Sequence, residues 1–143
     1  MAIKQISVFL ENRPGTLLKM TGALAAQGID MRALSLAETK DFGIVRLIVD
    51  DVFKAATVLK DADFINNLTD VVGVMIPDEP GGLDRVLRVL AEASINVEYM
   101  YAFLGGKSDH AYMIFRVADA LKAESALGGK GIKIVSQEEI AEL

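Results

Sequence analysis

The chain has 143 residues, a formal net charge of −5 and no cysteine, and 52% of it is hydrophobic. The acidic balance opposes nucleic-acid binding, which rests on Lys and Arg neutralising phosphates. The missing cysteines exclude disulfides, thiolate nucleophiles and the usual zinc frameworks. No apolar run approaches the roughly 18–20 residues of a membrane span, and no basic, apolar leader is seen, so a cytoplasmic protein that binds neither membrane nor nucleic acid is expected.

Ile6, Val8 and Leu10 alternate with Ser7 and Phe9, which predicts a strand ended by Asn12-Arg13-Pro14-Gly15. Leu17, Met20, Thr21 and Leu24 then recur at helical spacing, with Gly28 as the stop. Strands are predicted over 29–37 and 44–49, turned at Lys40-Asp41. Asp51 can cap a second helix carrying Phe53, Ala56 and Leu59/Lys60. A short strand is predicted over 64–68, leading almost directly into the next one, which holds Val72, Val74 and Ile76. Leu83, Val86, Leu87 and Leu90 mark another helix face. A hairpin of 97–104 and 111–117 turns at Gly105-Gly106-Lys107-Ser108-Asp109. A helix over 119–127, a strand over 132–135 and a short helix opened by the Ser136/Glu139 capping-box pair complete the chain.

This order says one thing twice. Pro14/Pro80, Gly15/Gly81, Leu17/Leu83, Leu24/Leu90 and Ile29/Ile95 are each 66 positions apart. Val49/Val117, Asp51/Asp119, Ala55/Ala123 and Leu59/Leu127 are 68 apart, so the second copy has gained two residues in between. Two domains are expected, at 1–69 and 70–143, each β-α-β-β-α-β. The expected class is α+β: two ferredoxin-like βαββαβ units packed together, with antiparallel sheets and helices on one face. Both faces of the 97–104 strand are apolar, so its open face should pack on the other copy or on another subunit. A homo-oligomer, a dimer in the simplest case, is expected.

The repeated turn carries the chemistry. A strand ends, Pro-Gly turns the chain and a helix begins, whose first amides have no partner within the helix. The helix dipole adds partial positive charge, and glycine lets an anion approach closely. Asn12 or Asp78 stands just before the turn, and Asp30 or Asn96 stands at the far end of the same helix. Helix amides suit the carboxylate of a free amino acid, and Asp or Asn oxygens suit its ammonium. No P-loop Lys-Ser/Thr is present, so a nucleotide fits less well. Pro-Gly is equally a ligand-free way to start a helix.

The stretch Glu11-Asn12-Arg13-Pro14-Gly15-Thr16-Leu17, the helix running to Gly28-Ile29-Asp30-Met31 and the element order resemble the ACT domain, above all the serine-sensing kind of phosphoglycerate dehydrogenase. Asp78-Glu79-Pro80-Gly81-Gly82-Leu83 with Ala93-Ser94-Ile95-Asn96-Val97 is similar to a second one. The resemblance spans essentially the whole chain. It implies an amino-acid-binding regulatory protein whose ligand sits where modules meet. The implied binding residues are Asn12, Arg13, Pro14, Gly15, Thr16, Leu17, Asp30 and Met31 in the first copy, and Asp78, Gly81, Gly82, Leu83, Asn96 and Val97 in the second. If each loop meets the other copy's helix end, Asn12 with Asn96 makes a neutral site and Asp78 with Asp30 an acidic one. The serine-sensing kind has a His two residues before its Asn; here that position is Leu10, which departs from serine specificity.

The resemblance implies no catalysis, no metal and no cofactor. A metabolic enzyme is a further expected partner, since a regulatory subunit, such as that of acetolactate synthase, is an alternative role. A small acylphosphatase-like enzyme, resting on Arg13 with Asn12, is a second alternative. His110, the single histidine, has no second ligand or base beside it and reads as a strand residue. Asp61 and Asp63 read as a solvated turn. Tyr99, Tyr101, Tyr112 and Phe103 read as core or interface rather than as an RNA-stacking platform.

Overall fold

The computed structural model describes residues 2–106 and 108–143. They form two compact units, Lys4–Thr69 on one hand and Ala2 and Ile3 with Asp70–Leu143 on the other. The first unit runs β1 (Ile3–Glu11), α1 (Thr16–Ala26), β2 (Met31–Glu38), β3 (Phe42–Val49), α2 (Val52–Asp61) and the start of β4 (Ile65–Pro77). Its strands lie in the order β2-β3-β1-β4. β1 and β3 are antiparallel, with Ile6 opposite Leu47 and Glu11 opposite Phe42. The alternation in β1 works as predicted: Ile6, Val8 and Leu10 face one core with Val45 and Leu47 of β3. Met20 and Leu24 of α1 and Val52, Ala55 and Leu59 of α2 close that core from the helical side. Each Ile, Val, Leu or Met side chain among these is worth about 1.5–3 kcal/mol of burial.

The second unit takes the rest of β4, then α3 (Gly82–Glu92), β5 (Tyr99–Ala102), β6 (His110–Arg116), α4 (Ala120–Gly129), β7 (Lys133–Val135) and α5 (Gln137–Glu142). Its strand order is β5-β6-β4-β7, all neighbours antiparallel. Val72, Val74 and Ile76 pack with Val86 and Leu90 of α3 and with Ala123 and Leu127 of α4. The helices of each unit therefore cover one face of its sheet, the ferredoxin-like sandwich.

Several expectations need correction. The strand expected from 29 begins at Met31, because Gly28 at φ 69 and the Ile29 amide, bonded to the Leu24 carbonyl at 3.1 Å, are spent closing α1. In α2 the buried face is Val52, Ala55 and Leu59, and Phe53, also on this helix, is 69% exposed. Asp51 does cap this helix, accepting the Lys54 amide at 3.2 Å, and that start places Phe53 one position off the inward stripe. The strand expected over 64–68 does not end before the next one: β4 is a single strand of 13 residues that serves both units. β5 is shorter than 97–104, since Ser94 at φ 57 and the Ile95 amide on the Leu90 carbonyl first close α3. The hairpin turn at 105–109 includes Lys107, which lies outside the described residues.

Other expectations meet the structure directly. Ser136 accepts the Glu139 amide at 3.2 Å and opens α5, whose Ile140 is fully buried. Tyr101 and Tyr112 are buried and Phe103 stacks on Tyr112 at 5.9 Å, so these rings are packed. His110 opens β6 as an exposed residue. Among the described residues no helix is long and apolar enough to cross a membrane.

Candidate functional site

The two Pro-Gly turns have the same backbone. Gly15 (φ 86) and Gly81 (φ 87) are the N-caps of α1 and α3, both in the left-handed region. The helices thus begin at Thr16 and Gly82, and Pro14 and Pro80 lie before the cap. Glycine is required here for its conformation, which other residues adopt only under strain. A glycine cap has no side chain to accept a bond, and neither helix is capped by one. The Thr16 and Gly82 amides already donate to the Arg13 and Glu79 carbonyls, at 3.3 and 3.1 Å, and the first-turn donors that follow them are left for something outside the helix.

The surroundings of the two turns differ. The first turn of α1 contains no acidic residue. That of α3 contains Asp84, which already offsets the dipole there and pairs with Arg88 at 3.0 Å. At Gly82 an added Cβ would stand 2.6 Å from the Pro77 carbonyl oxygen, so the second turn is drawn tightly onto the end of β4. The first copy carries Thr16 at that position and has a cleft of about 410 Å³ lined by Phe9, Arg13, Gly15, Lys19, Asp63 and Phe64, among others. That volume lies within the range of small-molecule sites.

The polar residues flanking the turns are also unequal. Asn12 donates its side-chain amide to the Thr39 carbonyl at 3.2 Å and the Lys40 carbonyl at 3.4 Å, tying the turn to the β2–β3 hairpin. Its Oδ1 keeps its acceptor capacity. The Asp78 carboxylate carries no such amide donor; among the described residues its backbone amide bonds to the Asp109 carbonyl at 2.9 Å. Arg13 pairs with Glu11 at 2.8 Å. Asp30 holds Arg32 at 2.9 Å, and its own amide donates to the Asp50 carboxylate at 3.1 Å. Asn96 is exposed and lines a second cleft, of about 330 Å³, with Ser94, Glu98, Asp119 and Lys122. Met31, Leu83 and Val97 are partly buried against their units' cores, while Leu17 stays exposed.

Within a unit these groups do not converge. Asn12 and Asp30 stand beyond opposite ends of the 11-residue α1, and Asp78 and Asn96 beyond opposite ends of the 11-residue α3. Eleven residues of helix span roughly 16 Å, too far for one amino acid to touch both. What the first unit does bring to its turn was not read from the sequence: Lys19, from the second turn of α1, and Asp63 and Phe64, from the α2–β4 connection. The available signal was a difference between copies, since Asp63 stands where the repeat has Gly131.

A pair of ferredoxin-like units, each with a left-handed glycine turn between its first strand and first helix, is the architecture of a regulatory ACT module pair. The chain belongs to that family: the ACT domain pair model matches residues 1–143. Among solved structures, protein BT0572 from Bacteroides thetaiotaomicron is 38% identical with a TM-score of 0.94, covering 100% of this chain and 98% of that one. The regulatory subunit of aspartate kinase from Thermus thermophilus, in a ligand-free form, is similar in fold at 18% identity and a TM-score of 0.66, over 90% of this chain and 93% of that one. Its counterpart from Thermus flavus gives 17% and 0.60, over 90% and 92%. No curated protein sequence matches the chain significantly.

Proposed function

We propose that this protein is an amino-acid sensor: a regulatory, non-catalytic module pair that binds a free amino acid at its Pro-Gly turn and passes that state to a partner. The observation that carries this reading is the turn at Gly15. It is a left-handed glycine cap without a side-chain bond, at the start of a helix with no acid in its first turn, beside an open cleft. The first-turn amides of α1 beyond Thr16 donate to a carboxylate, and Asn12 Oδ1 offers an acceptor for an ammonium while its amide is committed to the hairpin. Binding acts by population shift, because a ligand favours whichever arrangement it contacts best.

The role of a regulatory subunit for a metabolic enzyme uses the same device. The Thermus structures are described as regulatory subunits of aspartate kinase, and co-purification of a partner separates that role from a free-standing sensor. The acylphosphatase-like reading rests on Arg13, which pairs with Glu11 at the surface; no turnover of acyl phosphates together with intact amino-acid binding would dispose of it.

Thermal melting with each of the twenty free L-amino acids tests the proposal. A ligand at about 100 times its dissociation constant adds about 2.7 kcal/mol, a readily visible rise. If none of the twenty raises the melting temperature, the sensor reading is wrong.

A further inference from the structure

The duplication supplies an internal control for the first unit's cleft. Lys19 of α1 corresponds to Arg85 of α3, and Asp63 and Phe64 after α2 correspond to Gly131 and Ile132 after α4. In the second unit a side chain of the protein bonds across this corner. Arg85 donates Nη2 to the Lys130 carbonyl at 3.1 Å, at the C-cap of α4. Gly131 takes the left-handed position after that cap (φ 78), and the Ile132 amide returns to Leu127 at 3.1 Å.

The first unit keeps the same backbone with different side chains. The Phe64 amide returns to Leu59 at 2.8 Å, and Asp63 occupies the left-handed position at φ 67. Glycine is the favoured residue there, and an aspartate bears a conformational cost. Lys19 makes no bond to the C-cap. Its ammonium lies 5.8 Å from the Phe64 ring centroid. The side chains of Lys19 and Asp63 make no hydrogen bond or ion pair among the described residues, although both line the 410 Å³ cleft. Glu11 and Arg13, the other charged residues lining it, satisfy each other at 2.8 Å. The apolar wall is Phe9, 41% exposed, with Phe64.

We infer that the first unit holds a binding subsite made by Lys19, Asp63 and Phe64, which takes a zwitterionic amino acid with an uncharged side chain, and that the second unit has lost its counterpart to Arg85. Lys19 joins the α1 amides at the carboxylate, and Asp63, which lines the cleft where Asn12 does not, takes the ammonium in place of Asn12. Because Glu11 and Arg13 cancel, no charge is left over for an acidic or basic side chain, and Phe9 and Phe64 favour an apolar one. The inference rests on the sensor reading for the kind of ligand, but it names different residues and a single unit.

The test uses the full chain and the amino acid that most stabilises the parent in the twenty-member panel. Asp63→Gly relieves the left-handed strain, so it raises the melting temperature without ligand while weakening binding about tenfold, the loss of one charge-assisted contact. Lys19→Ala weakens binding to a similar degree. Arg85→Ala lowers the melting temperature through the lost helix cap and leaves the dissociation constant unchanged. If Asp63→Gly and Lys19→Ala bind as the parent does, or if the best ligand is acidic or basic, the subsite is wrong and the sensor reading stands. If no amino acid binds the parent, both are wrong.

Discussion

Gly82 and Thr16 occupy the same place in the repeat and do different work. A Cβ at 82 would press on the Pro77 carbonyl oxygen at 2.6 Å, a backbone atom that cannot swing aside. Gly82→Ala should therefore cost about 1–3 kcal/mol, as overpacking does. Thr16→Ala should change stability by no more than about 0.5 kcal/mol. Urea unfolding of both variants checks this contrast, and equal effects would mean that the two turns are packed alike. Such details are partly legible beforehand. A Pro-Gly turn announces a bend, but the left-handed φ of Gly15 and Gly81 follows from how strand and helix meet. Asp63 reads as an ordinary turn residue until its backbone is known to be left-handed and its duplicate is known to be glycine.

At the scale of elements, the order of strands and helices was readable throughout, because each element buries one apolar stripe and the stripes keep their periods. The ends were less readable. Capping, not hydrophobicity, decides them: Gly28 and Ser94 close their helices by left-handed turns, and this delays β2 and shortens β5. The Asp51 cap sets where α2 begins, and Val52, Ala55 and Leu59 form its inward face. β4 runs unbroken since no Pro or Gly interrupts Ile65 to Val72.

The last helix carries a pH dependence. Burial pushes the Glu139 carboxyl up, but Lys133, bonded at 3.2 Å, and the amide and hydroxyl of Ser136 outweigh it, so its pKa is lowered. A carboxylate lowered on folding stabilises above its unfolded value and loses that contribution as pH falls through the folded one. The pair is exposed, so the effect is a few tenths of a kcal/mol. Urea midpoints of the parent and Glu139→Gln should differ at pH 7 and converge as pH falls below the usual carboxylate range. A gap that persists unchanged at pH 3 would show that Glu139 acts through packing alone.

Across the whole molecule, duplication made two turns and divergence made them unlike. The repeat was legible in the sequence, and so was the contrast of Asn12 with Asp78 and Asp30 with Asn96. Which of these groups shares a cavity was not, because proximity across a chain depends on strand order and helix length. In the first unit the turn at Gly15 is open, uncapped and free of first-turn acid. In the second, Gly82 lies tightly against the end of β4, Asp84 offsets the dipole and Arg85 bonds across to the Lys130 carbonyl. The chain is thus a module pair in which one turn retains the features of a ligand site more fully than the other. A nitrogen–proton correlation spectrum of the full chain, titrated with the amino acid that most stabilises it, tests this most directly. The predicted result is that amide shifts concentrate at residues 12–19 and 62–65, with much smaller changes at 78–85. Equal shifts at both turns, or shifts confined elsewhere, would contradict it.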